Sequence, residues 1–243
     1  MIVKGSKNNL TLSLDNLEFD EAIKYPQKEK IKKIHFMIHY LCQGKYLTYD
    51  FSLLKLFPNI EYLNFGIFLS QESIIDSIYG LKNLKHLNYH GNNDRLPLKY
   101  NKLEKLEIIE MFYSKNNKQN NFEKLNRLKI LNIWNVENVK DLKFLGKLNN
   151  LKELNIFGSN SIKNLNGIEY LTSLETLILS GLISLEDMSS LFKLKPLNCL
   201  HISYCNKINV KNIDLFNDYY KRIYTKKVID SRYEKYYKGK YNV

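Results

Sequence analysis

Residues 148–170 read LNNLKELNIFGSNSIKNLNGIEY and residues 171–193 read LTSLETLILSGLISLEDMSSLFK. The two segments place their apolar residues at the same offsets and follow one another without a gap. Blocks opening at Leu125, Leu148, Leu171 and Leu194, each 23 residues after the last, extend the pattern. One column holds Leu128, Leu151, Leu174 and Leu197, and the next holds Leu131, Leu154, Leu177 and Leu200. A third holds Ile133, Ile156, Leu179 and Ile202, and a fourth Val139, Ile162, Leu185 and Ile208. Leu142, Leu165 and Met188, then Leu145, Ile168 and Leu191, complete the unit.

A spacing of three alone would suit an amphipathic helix. It gives way to alternation at Leu131-Asn132-Ile133 and Leu154-Asn155-Ile156, and turn formers such as Gly158, Ser159 and Asn160 follow, which is the signature of a short strand. A period of 23 is not a multiple of seven, so no heptad seam persists along it. Each unit therefore makes a strand, turns through a polar loop and returns along the opposite side. One unit cannot bury its own apolar face, so neighbours must stack on it, with strands about 4.8 Å apart.

The unit LxxLxLxxxxxI followed by xxLxxLxxL resembles the leucine-rich repeat superfamily, in particular the short repeats of internalin-like bacterial proteins and of the cysteine-containing subclass. Cys205 stands where that subclass carries its cysteine, while Val136, Ser159 and Leu182 hold the equivalent sites. The resemblance implies an α/β leucine-rich repeat solenoid, with a parallel β-sheet on the concave face and short helical or irregular segments on the convex face. It also implies a recognition scaffold rather than an enzyme.

Looser copies lie upstream. LEKLEI offers Leu103, Leu106 and Ile108; LKHLNY offers Leu84, Leu87 and Tyr89; IEYLNF offers Ile60, Leu63 and Phe65; and IKKIHF offers Ile31, Ile34 and Phe36. In this alignment the first-column residues from Ile60 to Leu128 are separated by 24, 19 and 25 positions, and MFYSKNNKQNN after Ile108 reads as an inserted loop. The expected organisation is an N-terminal capping segment over 1–30, a repeat array of seven to eight units over 31–209, and a C-terminal capping helix with a basic, tyrosine-rich tail over 210–243. LTLSL, with Leu10, Leu12 and Leu14, reads as a capping strand. Val210, Ile213, Phe216, Tyr220 and Ile223 recur at helical spacing.

The chain has 243 residues, a formal net charge of +12 and 44% hydrophobic residues, which suit a folded core. MIVKGSKNNLTLSLDNLEF lacks the apolar run of an export signal, and no segment approaches the roughly 20 apolar residues of a membrane span. Cys42, Cys199 and Cys205 form no CxxC pair, as expected in a reducing compartment. The expectation is a cytoplasmic, monomeric protein without cofactor or metal.

No phosphate loop, HExxH or GxSxG motif occurs. Cys199 and His201 share one strand face, but no third group orients them as a catalytic pair. His86 and His90 lie about 13 Å apart at strand rise, too far for one metal ion.

The informative positions are those that alternate with the strand leucines, because a parallel stack aligns them on the concave face. They include Tyr62, Asn64 and Gly66; His86, Asn88 and His90; and Lys105, Glu107 and Ile109. The later units contribute Ile130, Asn132 and Trp134; Glu153, Asn155 and Phe157; Thr176, Ile178 and Ser180; and Cys199, His201 and Ser203. Trp134 and Phe157 occupy one column, with Ile130 and Ile178 nearby, as in an interface hot spot. The column Asn64, Asn88, Asn132 and Asn155 carries less information, because asparagine is common throughout the chain.

The expected function is therefore non-enzymatic binding of a partner protein through Tyr62, His86, His90, Ile109, Ile130, Asn132, Trp134, Asn155, Phe157, Ile178 and His201. The alternative is nucleic-acid binding by the tail, where eight Lys or Arg after Tyr219 outnumber Asp230 and Glu234.

Overall fold

The computed structural model describes residues 2–6, 9–15, 19–37, 48–66, 69–89, 96, 98–114, 122, 124–146, 148–195 and 197–208. The residues of the expected C-terminal helix and tail, His90 and Cys42 lie outside these.

Ten strands form one sheet in sequence order: β1 Ile2–Ser6, β2 Asn9–Asp15, β3 Ile31–Met37, β4 Tyr62–Phe65, β5 His86–Tyr89, β6 Ile108–Ser114, β7 Ile130–Glu137, β8 Glu153–Ser159, β9 Thr176–Leu182 and β10 Cys199–Ser203. β1 runs antiparallel to β2, and every later pairing is parallel. Parallel neighbours need a return path, commonly an α-helix. A 23-residue period leaves too little chain for one. The returns instead use short 3-10 turns at Ser52–Leu56, Asp76–Gly80, Tyr100–Lys102, Lys143–Leu145, Ile168–Tyr170 and Ser189–Lys193.

The strand leucines point into a single core. Leu131, Ile133, Leu154, Ile156, Leu177 and Leu179 are fully buried, and Leu142, Leu145, Leu165, Ile168, Met188 and Leu191 meet them from the return side. At the N-terminal end the third column becomes aromatic. Phe36 stacks on Phe65 at 5.2 Å, and Phe51 stands edge-on to both. The unit from Ile31 to Ile60 is 29 residues long. LTLSL forms β2, where Leu12 and Leu14 are buried; β1 and the helix α1, Phe19–Lys24, lie beside it, and Phe19 packs edge-on against Phe36 and Phe51.

The structure corrects the register of one unit. Ile109 pairs with Leu87 and Leu131, and Met111 with Tyr89 and Ile133. The columns therefore pass through Leu106, Ile109 and Met111, not Leu103, Leu106 and Ile108. An LxxLxxL-like run leads into β5 to β9 and ends inside the strand, and the alignment of this unit began one apolar position too soon. With the correction the first-column spacings become 24, 22 and 22 (Ile60, Leu84, Leu106, Leu128). Met111 and Tyr113 are buried in β6, so the insertion begins after the strand, not directly after Ile108.

Beyond the middle of each later strand the chain turns through a left-handed residue at the same position in every unit: Asn135 (φ 50°), Gly158 (φ 77°), Gly181 (φ 71°) and Tyr204 (φ 55°). Glycine adopts this conformation without steric cost, and asparagine tolerates it. Tyrosine does not, and Tyr204 is 77% exposed, so packing offers little compensation. Tyr204→Gly is expected to raise stability by about 1 kcal/mol, read from the midpoint of denaturant unfolding. A lower midpoint would show that the tyrosine ring contributes more than its backbone costs.

The neighbouring column is Val136, Ser159, Leu182 and Cys205. Ser159 Oγ donates to the Val136 carbonyl at 2.8 Å and accepts the backbone N–H groups of Ser161 and Ile162, so this serine closes its own loop. Cys205 donates its S–H to the Ser203 carbonyl at 3.3 Å, and burial pushes its thiol pKa upward.

Candidate functional site

The side of the sheet that faces away from the core carries three rows of side chains, fixed by strand pairing. The first runs Lys33, Tyr62, His86, Ile108, Ile130, Glu153, Thr176, Cys199. The second runs His35, Asn64, Asn88, Glu110, Asn132, Asn155, Ile178, His201. The third contains Phe112, Trp134, Phe157, Ser180 and Ser203.

Tyr62, His86, Ile130, Asn132, Trp134, Phe157 and His201 are partly or fully accessible on this face. Ile109 is not on it: the register shift turns Ile109 into the core, where it is fully buried. Lys105 and Glu107 likewise precede β6 and leave the face to Ile108, Glu110 and Phe112. Ile178 and Asn155 belong to the face by register, yet they are only 2% and 4% exposed. Asn155 is tied down by its neighbours, donating from Nδ2 to Asn132 Oδ1 and to Glu153 Oε1, both at 2.7 Å. Both side chains therefore support the surface rather than offer area of their own.

Glu110 and Phe112 escaped the sequence reading for the same reason that Ile109 was misplaced. The repeated LxxLxxL at Leu81-Leu84-Leu87 and Leu125-Leu128-Leu131 was the available signal, since Leu103-Leu106-Ile109 matches it.

At the N-terminal half of the face a chain of rings and polar groups converges on Glu110. The His35 and Tyr62 rings lie 4.8 Å apart, and those of Tyr62 and His86 4.5 Å apart. His86 Nε2 is 2.8 Å from Glu110 Oε1, and Asn88 Nδ2 donates to Glu110 Oε2 at 3.3 Å. Glu110 is 6% exposed, so its carboxyl lies almost wholly beneath the face, against His86 and Asn88. The His35 pKa is held below its ordinary value by burial first, then by Lys33 and His86. In the C-terminal half, Trp134 and Phe157 lie 5.4 Å apart with planes tilted by 30°, and Phe112 precedes Trp134 in register.

One column before the strands, outside the three rows, charged residues pair along the stack. Glu61 meets Lys32 at 3.1 Å and Lys85 at 3.0 Å, Lys129 meets Glu107 at 2.7 Å, and Lys152 meets Glu175 at 2.9 Å. These are exposed pairs, each contributing at most about 1 kcal/mol.

Cys199 is half-buried and His201 exposed. Among the described residues no group of three His, Cys, Asp or Glu is arranged to hold a metal ion, and no helix is long and apolar enough to cross a membrane.

A sheet of stacked parallel strands, leucine columns buried on one side and short returns behind, is the architecture of a leucine-rich repeat solenoid. No protein-family model and no curated protein sequence matches the chain. Among solved structures it is similar to two internalins of Listeria monocytogenes. The internalin InlF overlaps with 17% sequence identity and a TM-score of 0.46, over 74% of this chain and 67% of that one. The internalin C2 overlaps with 17% identity and a TM-score of 0.36, over 80% of each. The assignment of fold rests on this chain's own strand pairing and core.

Proposed function

We propose that the chain is a protein-binding scaffold that takes a partner on the concave face, centred on Phe112, Trp134 and Phe157. The observation that supports this reading is the third row itself. Three large aromatics stand on consecutive strands on the side away from a core that Met111, Ile133 and Ile156 already fill. Aromatic clusters ringed by polar groups are the usual anchors of protein interfaces, because burying them on a partner recovers the cost of displaying them.

Trp134 is the sole tryptophan, so intrinsic indole fluorescence reports on this row alone. Free protein is expected to show the emission of a partly exposed indole, moving to shorter wavelength when a partner captured from the native cell is added. Trp134→Ala should keep the fold and weaken binding by about 2 kcal/mol or more. A strongly blue-shifted emission in the free protein, with large destabilisation on substitution, would place Trp134 in a core and overturn this reading.

A further inference from the structure

The flank of the sheet at which the parallel strands begin differs in charge from the flank at which they end. In the units of Leu84, Leu106 and Leu128, the residue before that leucine is Asn83, Lys105 and Arg127, and the residue four before it is Gly80, Lys102 and Lys124. The Glu107 N–H donates to the Lys85 carbonyl and the Lys129 N–H to the Glu107 carbonyl, which holds these units in that register. Lys105 therefore lies beside Arg127, and Lys102 beside Lys124, on coils about 5 Å apart at the sheet. All four are exposed, as is Lys82 on the coil before them. The described loops that leave β7, β8 and β9 on the opposite flank have the other balance, with Glu137, Asp141, Glu186 and Asp187 against Lys140 and Lys163.

The second observation is how these cations are partnered. In the column directly before the strands acid and base alternate and pair, Lys85 meeting Glu61 at 3.0 Å and Lys129 meeting Glu107 at 2.7 Å. In the two columns of the patch cation follows cation. Glu104 is an exposed carboxylate in the same coil as Lys102 and Lys105, and Glu107, already held by Lys129, also attracts Arg127. Among the described residues no carboxylate lies within ion-pair distance of Lys82, Lys102, Lys105, Lys124 or Arg127. The Lys102 ammonium instead lies 5.4 Å from the centre of the Tyr79 ring. Like charges on neighbouring coils repel, and an anion laid across both removes that cost. Leu103, Leu106, Leu125 and Leu128, which separate the cations along the chain, are buried, so the patch displays charge without an apolar anchor.

We propose that this flank, around Lys102, Lys105, Lys124 and Arg127, binds the phosphodiester backbone of a nucleic acid. Each strand of a duplex carries one charge about every 3.4 Å. A strand running along the stack therefore passes from Lys102 to Lys124, or from Lys105 to Arg127, within about two nucleotides. Protein interfaces are depleted in lysine and anchored by buried aromatic or apolar groups, which the patch lacks. Phosphate contacts need only exposed Lys and Arg, and they position a nucleic acid without reading its sequence. The patch lies on a different side of the solenoid from Phe112, Trp134 and Phe157 and does not rest on the reading of the concave face. It also places the contact on the folded array and not in the tail after Tyr219.

The test is fluorescence anisotropy of labelled mixed-sequence DNA of about 20 nucleotides, longer than one single-strand site. Single-stranded and duplex forms are titrated with the intact chain over a range of salt. Lys102→Gln, Lys105→Gln, Lys124→Gln and Arg127→Gln together should weaken binding about tenfold or more at about 50 mM salt, and make the slope of log K against log salt shallower by about three. Lys140→Gln, Lys143→Gln, Lys163→Gln and Lys207→Gln together remove the same charge away from the patch and should leave the slope unchanged. Arg127→Glu alone, a single change at an exposed side chain, should weaken binding in the same direction even if the fourfold variant does not fold. Equal weakening by the two fourfold variants would overturn the site, since binding would then follow net charge alone. Retention of binding by the patch variants, with loss on Lys235→Gln, Lys238→Gln and Lys240→Gln, would overturn it in favour of the tail. Tighter binding of polyglutamate of matched charge would make the occupant an acidic protein, and no binding of either DNA at low salt would remove the site altogether.

Discussion

Leu154→Ala is expected to lower the free energy of unfolding by about 2 to 5 kcal/mol. Leu154 is fully buried in β8, between Leu131 of β7 and Leu177 of β9 in register. Removing its isobutyl group deletes contacts to both neighbouring units and leaves a cavity between them. The stack cannot collapse to fill it, because the strand spacing is set by backbone hydrogen bonds on either side. Chemical denaturation with circular dichroism measures the effect, and Trp134 emission follows the adjacent strand. An unchanged midpoint would mean that the leucine columns do not form the core. The same substitution should leave the concave face's selectivity intact, which separates the residues that hold the fold from those proposed to recognise a partner.

Gly167→Ala is the second substitution with a large expected cost, about 3 kcal/mol. The residue has φ 105°, and a Cβ there would stand 2.5 Å from the Lys143 nitrogen and 2.6 Å from the Leu142 carbonyl carbon. Both obstacles are backbone, so no side chain can swing aside. The contact is tight because the Leu142 N–H donates to the Asn166 carbonyl at 2.8 Å, clamping the return of one unit onto the next. Gly80 is the matching control: nothing lies within 4 Å of a Cβ added there, and Gly80→Ala should change stability by no more than about 0.5 kcal/mol. Equal effects at the two glycines would show that the close approach at Gly167 is not what fixes that residue.

The later units were legible in the sequence because every constraint repeats at one period. Leu131, Leu154 and Leu177 share a column in the sequence and in the sheet, and the polar loops after them carry glycine or asparagine where φ becomes positive. Legibility declined where repetition did. The unit before β7 has Leu103 and Leu106 and then Ile108-Ile109, two adjacent branched residues of equal apolarity, either of which satisfies an alternating pattern. Pairing with Leu87 and Leu131 selects Ile109 for the core, and that single step moves Glu110 and Phe112 onto the face. The burial of Ile178 was not legible at all, since alternation states which side of a sheet a residue takes and not how far its neighbours cover it. The 3-10 returns were anticipated only as short or irregular, because LxxLxxL spacing suits more than one kind of tight turn.

The column of paired charges bears on how the chain avoids misthreading. A repeat protein can fold with one unit looped out, since the units on either side of the gap are close to interchangeable. From Lys32 the column reads Lys32, Glu61, Lys85, Glu107, Lys129, so omitting an inner unit of that run sets two like charges side by side: Lys32 against Lys85, Glu61 against Glu107 or Lys85 against Lys129. Each such encounter is unfavourable by only a few tenths of a kcal/mol to about 1 kcal/mol, but it replaces an attraction with a repulsion. The alternation then lapses at Lys129 and Lys152, where two cations follow one another before Glu175. Looping out the unit that carries either lysine restores perfect alternation. The charge pattern therefore disfavours a skipped turn in the first half of the stack and not one around β7 and β8, so a solenoid one coil short at its centre is the misthreaded form these pairs oppose least.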